Sequence, residues 1–140
     1  MSINEYLLTL WLFLPAALAN MAPVLFKWWP ILNRPVDFGK TLFGQRIFGD
    51  HKTRRGLVVG VVLAMAVAEL QRLVPFSQFP MGNIASWGLL MGVGALGGDL
   101  VKSFIKRQLG IASGRSFPVA DQIDWIVSAL VVTSLIQPWP

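Results

Sequence analysis

The sequence of 140 residues has no cysteine and a single histidine, His51. Without cysteine there is no disulfide, no thiol nucleophile and no cysteine-ligated metal ion. One histidine is also too few for a zinc site, and no Ser-His-Asp triad is credible around it. Any chemistry must therefore rest on carboxylates, ammonium and guanidinium groups and the backbone.

Charged residues are scarce as well. Asp, Glu, Lys and Arg make up 14% of the chain and hydrophobic residues 54%, against roughly 25% and 45–50% in soluble domains. A soluble globule this small would lack the polar residues that cover a surface, so we expect one membrane-embedded domain over residues 1–140. The net charge of +5 comes from few charges, which does not indicate a nucleic-acid-binding domain.

Long apolar segments define the expected architecture. A membrane-spanning helix needs roughly 20 apolar residues, and lipid tolerates only backbone whose hydrogen bonds are satisfied internally. The sequence therefore predicts an all-α, polytopic integral membrane protein with about four transmembrane helices. The segments cover residues 3–26, 56–73, about 84–109 and 119–137.

The first segment has one alternative explanation, a secretory signal peptide. An A-x-A-like cleavage site is present at residues 17–19. The residues before the apolar run include Glu5 but neither Lys nor Arg, and a signal peptide normally begins with positive charge. A membrane helix is therefore favoured.

Lysine and arginine are concentrated in two of the three connections. By the positive-inside rule these connections are cytoplasmic, and both termini lie outside. Arg72 is the exception, and we expect it to form a local ion pair with Glu69. Orientation alone explains the cations but not the five aspartates on the same side. The cations are Lys27, Arg34, Lys40, Arg46, Lys52, Arg54 and Arg55 in the first connection, and Lys102, Lys106, Arg107 and Arg115 in the third.

The third segment is expected to carry a polar stripe where it meets the cytoplasm. Its polar residues have helical spacing, so they share one face; they are Asp99, Lys102, Ser103, Lys106 and Arg107. An acid at the membrane is costly and is a functional candidate by default. Glycine and alanine at positions 88, 92, 94, 95 and 98 let neighbouring helices approach closely.

Two further aspartates, Asp121 and Asp124, lie at i and i+3 near the start of the fourth segment. Their carboxylates share one helix face, and capping of the helix is the alternative explanation for them. Together with Asp99 they form three carboxylates beside Lys and Arg, which suits Mg²⁺ and phosphates. The residues predict a cytoplasmic site for phosphoryl or nucleotidyl transfer.

Within the first connection, residues 33–56 are too apolar for a solvated linker. Gly39, Gly44 and Gly49 recur every five residues, and glycine lets backbone N–H groups approach a phosphate. The GKT at 39–41 is not a Walker A motif, because position 34 is arginine. We expect a structured, anion-binding loop whose apolar residues lie along the membrane surface: Phe38, Leu42, Phe43, Ile47 and Phe48.

Four motifs in order resemble the CDP-archaeol synthases, relatives of the CDP-diacylglycerol synthases. The family's first helix is similar to LPAALANMAPVLF (14–26), and its long loop to RPVDFGKTLFGQRIFGDHKTRRG (34–56). Its GALLGD…SFIKRRLG motif is similar to GALGGDLVKSFIKRQLGI (94–111), and its P..DQLDF motif to FPVADQIDW (117–125). The resemblance covers about residues 14–130, most of the chain.

The resemblance implies a membrane CTP:lipid-phosphate cytidylyltransferase. CTP and a lipid phosphate would give pyrophosphate and a CDP-lipid, like CDP-archaeol or CDP-diacylglycerol, with Mg²⁺. Asp99, Asp121 and Asp124 would hold the metal ion and form the catalytic set with Lys106. Hydrocarbon chains would lie in a groove between helices, in the cytoplasmic (inner) membrane with the site on its cytoplasmic side. The phosphates of CTP or lipid would be bound by Lys40, Arg46, Lys52, Arg54, Arg55, Ser103 and Arg107.

The chain departs from the family at its end. Archaeal members continue with a fifth helix, whereas this sequence stops at SLIQPWP, so it is expected to be a short form lacking the last helix. A homodimer would be one way to complete the site. The alternative function is a non-catalytic lipid-binding membrane protein or subunit with the same fold, against which the three intact aspartates argue.

Overall fold

The computed structural model describes residues 3–74, 83–112, 115 and 120–136, without the side chains of residues 120–122 and 136. Four helices and one short hairpin are found in this part of the chain. Each helix end lies within two residues of the predicted apolar segment. The elements are α1 (Ile3–Leu25), β1 (Thr41–Leu42), β2 (Gln45–Arg46), α2 (Arg54–Arg72), α3 (Ile84–Gln108) and α4 (Ala120–Ile136).

Helix α3 lies at the centre of the bundle and packs against the other three helices. Most of the fully buried apolar residues are alanines, such as Ala16, Ala68 and Ala129, while Trp87 and Met91 are the large members of the core. Many large apolar side chains point outward instead. Among these are Leu10, Val24, Val62, Val101, Ile105 and Leu135.

Small residues inside and large apolar residues outside indicate a bundle surrounded by lipid. Water-soluble monomers rarely expose apolar patches of this extent, whereas small interface residues are typical of membrane helices. Of the described helices, α1 and α3 are long and apolar enough to cross a membrane, and α4 contains a shorter apolar stretch, Ile123–Leu135.

The glycines of α3 form two stripes that face two different helices. A Cβ atom on Gly88 would lie 2.7 Å from Met65 Cα of α2, and one on Gly94 would lie 2.7 Å from Ala129 Cα of α4. These are backbone contacts, so the helices touch directly at both places. The tight packing predicted from the spacing of small residues is therefore present, with one glycine stripe against α2 and the other against α4.

The chain between α1 and α2, residues 26–53, is called loop one. The backbone N–H of Val36 donates to the carbonyl of Lys52 at 2.8 Å, and the N–H of Arg54 donates to the carbonyl of Arg34 at 3.0 Å. Thr53 caps α2 by accepting a hydrogen bond from Gly56 N at 3.2 Å. Loop one therefore folds back onto the first turn of α2.

The hairpin of loop one was not part of the sequence expectation. Thr41 pairs with Arg46 and Leu42 with Gln45, in antiparallel register around the two-residue turn 43–44. Its strands have two residues each, too short to produce an alternating pattern. The turn also lacks the Asn-Gly or Asp-Gly pair that usually signals a hairpin.

The local ion pair expected between Glu69 and Arg72 at the end of α2 is confirmed, at 3.5 Å.

Candidate active site

Two of the predicted carboxylates meet across the contact between α3 and α4. The Lys102 ammonium lies 3.3 Å from Asp99 Oδ1 and 2.7 Å from Asp124 Oδ2, so one lysine bridges both acids. The acid side chains are only 15% and 13% exposed. Carboxylates close together in a poorly solvated place repel each other unless a cation lies between them, and Lys102 supplies that cation.

Asp99 has a second cationic partner, from loop one. Lys52 Nζ donates to Asp99 Oδ2, which ties the loop to α3. Lys52, Asp99, Lys102 and Asp124 therefore alternate in charge, and we call these four residues the charge cluster. Its two positive and two negative groups balance, so it carries no net charge into the bundle.

Gly98 is the reason that α4 comes close enough for this arrangement. A Cβ atom at this position would lie 1.9 Å from Ser128 Oγ and 3.0 Å from the backbone oxygen of Asp124. No residue with a side-chain carbon fits there without displacement. The glycine next to Asp99 thus brings the two helices together at the level of the two acids.

Asp99 and Asp124 of the charge cluster have the donor chemistry that the predicted Mg²⁺ site requires. Asp124 Oδ1 is buried and accepts no hydrogen bond from any described residue, which leaves it available as a ligand. Carboxylate oxygens are ligands of Mg²⁺. The described side chains contain no group of three acids or histidines that could hold a metal ion. The side chain of Asp121 lies outside the described residues, so the three-carboxylate site stays a prediction.

An apolar groove runs between α3 and α4 beside the charge cluster. Its volume is about 790 Å³. Apart from Ser128, its polar side chains belong to Lys102, Lys106 and Asp124, and these are joined by many aliphatic residues and by Gly94, Gly97 and Gly98. The aliphatic lining includes Val93, Val101, Ile105, Ile123, Val127 and Val131.

Loop one is organised around a buried carboxylate, that of Asp37. Its side chain is fully buried and accepts hydrogen bonds from the backbone N–H groups of Gly39 at 3.0 Å, Phe48 at 3.0 Å and Gly49 at 3.1 Å. Two nitrogens of the Arg46 guanidinium donate to it as well, at 3.3 and 2.7 Å. The anion held by these glycine N–H groups is therefore internal to the protein.

These contacts set the ionisation of Asp37. Burial alone would raise the pKa of its carboxyl, but the hydrogen bonds from Arg46 and from the three backbone N–H groups outweigh burial. The pKa therefore lies well below its ordinary range. The hydrogen bonds that Arg46 donates to Asp37, and one to Asp50 at 2.5 Å, raise the pKa of the Arg46 guanidinium.

The other basic residues predicted in loop one and α2 have partners within the loop or none described. Arg46 binds Asp37. Arg54 stacks its guanidinium 3.7 Å from the centre of the Phe38 ring, and the buried Arg55 donates to the carbonyl of Trp29. Lys40 is exposed. Of the five basic residues predicted between 40 and 55, the structure thus pairs Lys52 alone with a carboxylate of the charge cluster.

Of the three predicted residues near the end of α3, Lys106 and Arg107 contact the segment that follows the helix, whereas Ser103 contacts the helix itself. Lys106 Nζ donates to the carbonyl of Arg115 at 3.1 Å, and Arg107 donates to the carbonyl of Ala112 at 3.1 Å. Ser103 is buried, and its hydroxyl donates back to the carbonyl of Asp99 at 2.8 Å. Only Lys106 among these three also lines the groove.

Two residues of this region had no role assigned from the sequence. Lys102 was placed in the polar stripe, and its i,i+3 spacing from Asp99 was the signal that could have identified the bridge. Asp37 had no such signal, because its partners Arg46, Phe48 and Gly49 come together only through the hairpin.

Comparison with known proteins identifies the family. A CarS-like family model, CDP-archaeol synthase, matches residues 2–140. The chain belongs to this family. The resemblance read from the four motifs is thereby confirmed, and the protein is a membrane enzyme of the cytidylyltransferase type.

Members of the CDP-archaeol synthase family match most of the chain. It is 40% identical to CDP-archaeol synthase of Methanopyrus kandleri, over 93% of this chain and 71% of that protein. It is 38% identical to CDP-archaeol synthase of Archaeoglobus fulgidus, over 98% and 79% respectively. A solved intramembrane enzyme for archaeal membrane lipids biosynthesis is 37% identical and superposes with a TM-score of 0.78, covering 91% of this chain and 77% of that one.

Replacing Asp37 by asparagine is expected to loosen loop one. Leaving a buried partner uncompensated costs about 3–5 kcal/mol, and each ~1.4 kcal/mol is a factor of ten. Amide hydrogen exchange at pH 7 should therefore be at least about tenfold faster at Phe48 and Gly49 in Asp37→Asn. Asp50→Asn is the matched control, since Asp50 also pairs with Arg46 but has a side chain that is 74% exposed.

The pH dependence of this effect has a defined sign. Because the folded pKa is depressed below the ordinary 3.8, the ionised Asp37 contributes its stabilisation above that value and loses it as the pH falls through the folded pKa. The difference between Asp37→Asn and wild type should stay constant from neutral to mildly acidic pH and shrink only in strong acid. Equal exchange in the Asp37 and Asp50 variants would contradict this role.

Proposed function

We propose that the protein transfers the cytidylyl group of CTP to a lipid phosphate. An oxygen of the lipid phosphate would bond to the α-phosphorus of CTP. The bond from that phosphorus to the oxygen bridging the β-phosphate would break, so that pyrophosphate leaves and a CDP-lipid remains. The names of the curated relatives, CDP-archaeol synthase, favour a CDP-archaeol-like product.

The groove between α3 and α4 is the observation that supports a lipid substrate most strongly. Hydrocarbon chains require an aliphatic surface, and a phosphate requires cations. The groove has both, because Lys102 and Lys106 lie among its valines and isoleucines. A nucleotide alone would have no use for the long apolar part.

Asp99 and Asp124 would hold Mg²⁺, which when bound would neutralise charge on the phosphates. The ammonium groups of Lys52 and Lys102 lie against these carboxylates and would contact the oxygens of a phosphate bound at the mouth of the groove. The lysines of the charge cluster would thus position the reacting phosphates and stabilise the charge that develops on them.

Four helices would cross the membrane, with both termini outside and the charge cluster on the cytoplasmic side. Supporting this orientation, nearly all the lysine and arginine of the chain lies in loop one, at the start of α2, near the end of α3 and in the segment after it. The reaction would therefore take CTP from the cytoplasm and lipid from the cytoplasmic (inner) membrane. Homodimer formation stays a prediction.

The direct test is to incubate the purified protein with labelled CTP, Mg²⁺ and a panel of lipid phosphates. We expect a CDP-lipid from at least one lipid and no detectable turnover in Asp124→Asn, since that variant loses a negative charge of the cluster. Glu69→Gln, an acid at the other end of α2, is the control and should retain full activity. Absence of any CDP-lipid from the wild type would overturn the proposed reaction, and full activity in Asp124→Asn would remove this residue from the site.

Filling the groove should discriminate between lipid substrates. Gly97 lines the groove, and a Cβ atom on it would have no heavy atom within 4 Å, so Gly97→Leu adds bulk without strain. Displacing about two methylenes at ~0.8 kcal/mol each should lower kcat/KM for a long-chain lipid phosphate about tenfold. The KM for CTP should not change, and Gly97→Ala should behave like wild type. An equal loss for long-chain and short-chain lipid phosphates would show that the chains do not lie in this groove.

A further inference from the structure

Two tight turns in loop one hold phenylalanine where asparagine or glycine is usual. Phe38 and Gly39 have φ values of 54° and 81°, and Phe43 and Gly44 have values of 50° and 79°. The first turn is closed by the N–H of Lys40 donating to the carbonyl of Asp37 at 2.8 Å. Turns with positive φ at both central residues favour Asn-Gly or Gly-Gly. A bulky residue held there is strained.

The side chains of these two phenylalanines are not buried by the folded chain. Phe38 is 68% exposed and Phe43 91% exposed. Phe48 of the same loop behaves differently, since its ring packs against that of Phe104 on α3 with centroids 6.5 Å apart. Apart from the contact of the Phe38 ring with Arg54, little packing in the described structure offsets the strain of the two turns, and a partner outside the chain is indicated.

The position of the turns points to the membrane boundary. The Phe38 ring stacks on the guanidinium of Arg54, the first residue of α2. Near the ends of the two helices, a Cβ atom on Gly56 of α2 would lie 3.0 Å from the ring of Pro23 of α1, so these ends are level. Trp28, just beyond α1, is 78% exposed at this same end. Exposed tryptophan and tyrosine rings at the ends of apolar helices are typical of the interfacial belt of membrane proteins.

The charges around the turns favour the same partner. Arg34 and Lys40 of loop one are exposed, and Arg54 lies against Phe38. Anionic lipid headgroups attract basic side chains that lie near the membrane surface. We infer that Phe38 and Phe43 insert into the headgroup region of the bilayer and seat loop one on the membrane surface.

This contact would fix the depth of the loop that supplies Lys52 to the charge cluster. Asp37 begins the first turn and also binds the N–H groups of Phe48 and Gly49, three to four residues before Lys52. Seating the two turns on the bilayer therefore holds the whole loop, including Lys52, at a constant height relative to lipid headgroups. The inference depends on membrane embedding and not on which reaction the enzyme performs.

Fluorescence quenching from the membrane tests this contact directly. Because the chain has no cysteine, Phe43→Cys gives a single site for a bimane label in full-length protein. The labelled protein is placed in nanodiscs of phosphatidylcholine with a minor share of phosphatidylglycerol, some lipids carrying a nitroxide on the headgroup. We expect quenching by the headgroup nitroxide to be several-fold greater at position 43 than at His51→Cys, an exposed site in the same loop.

Two controls calibrate depth and accessibility. Val62→Cys, 59% exposed in the middle of α2, should be quenched best by a nitroxide deep in the acyl chain, and His51→Cys best by aqueous iodide. Thr41→Cys, beside the second turn, keeps both phenylalanines and should follow position 43 even if Phe43→Cys fails to assemble. Iodide quenching at 41 and 43 equal to that at 51 would overturn the inference. Protection that arises only when CTP and a lipid phosphate are added would overturn it too, because the turns would then be a lid.

Discussion

Two carboxylates within an apolar helix bundle must be matched by cations, and the rest of the structure depends on this pairing. Asp99 and Asp124 come from different helices and share Lys102 between them. Lys52 reaches Asp99 from a loop 47 residues earlier in the chain. Since an unpaired buried charge costs about 3–5 kcal/mol, the packing of α4 on α3 and the position of loop one are bound to the same four residues.

The charge cluster lies beside the groove, so the groove has a charged part and an apolar part. Glycine at position 98 lets the helices touch at the level of the acids, and the aliphatic channel opens beside that contact. Charge and apolar surface therefore lie next to each other, as they do in a lipid with a phosphate headgroup. Asp37 binds three backbone N–H groups of loop one, and these contacts order the loop that contributes Lys52 to the charge cluster.

Helix bounds could be predicted from the sequence because long apolar runs have few alternatives in a membrane. Asp99 and Asp124 could also be predicted as site residues, because acids in such apolar runs must have partners. The remaining contacts join residues that only the folded chain brings together, so they could not be predicted from the sequence. The glycines of loop one suggested phosphate binding, yet the N–H groups of Gly39 and Gly49 hold the carboxylate of Asp37. In the sequence, Lys102 cannot be distinguished from the other cations of the polar stripe as a partner of Asp124. Its contact with Asp124 follows only from the packing of α4 on α3.

We propose that Asp99 and Asp124 form one cation site in which lysines balance the charge. Binding of Mn²⁺, a paramagnetic substitute for Mg²⁺, measured by electron paramagnetic resonance in nanodiscs without nucleotide, tests it most directly. We expect one site in the wild type that is lost in Asp99→Asn, and tighter binding in Lys102→Met, where the competing ammonium is gone. Unchanged Mn²⁺ binding in both variants would contradict it.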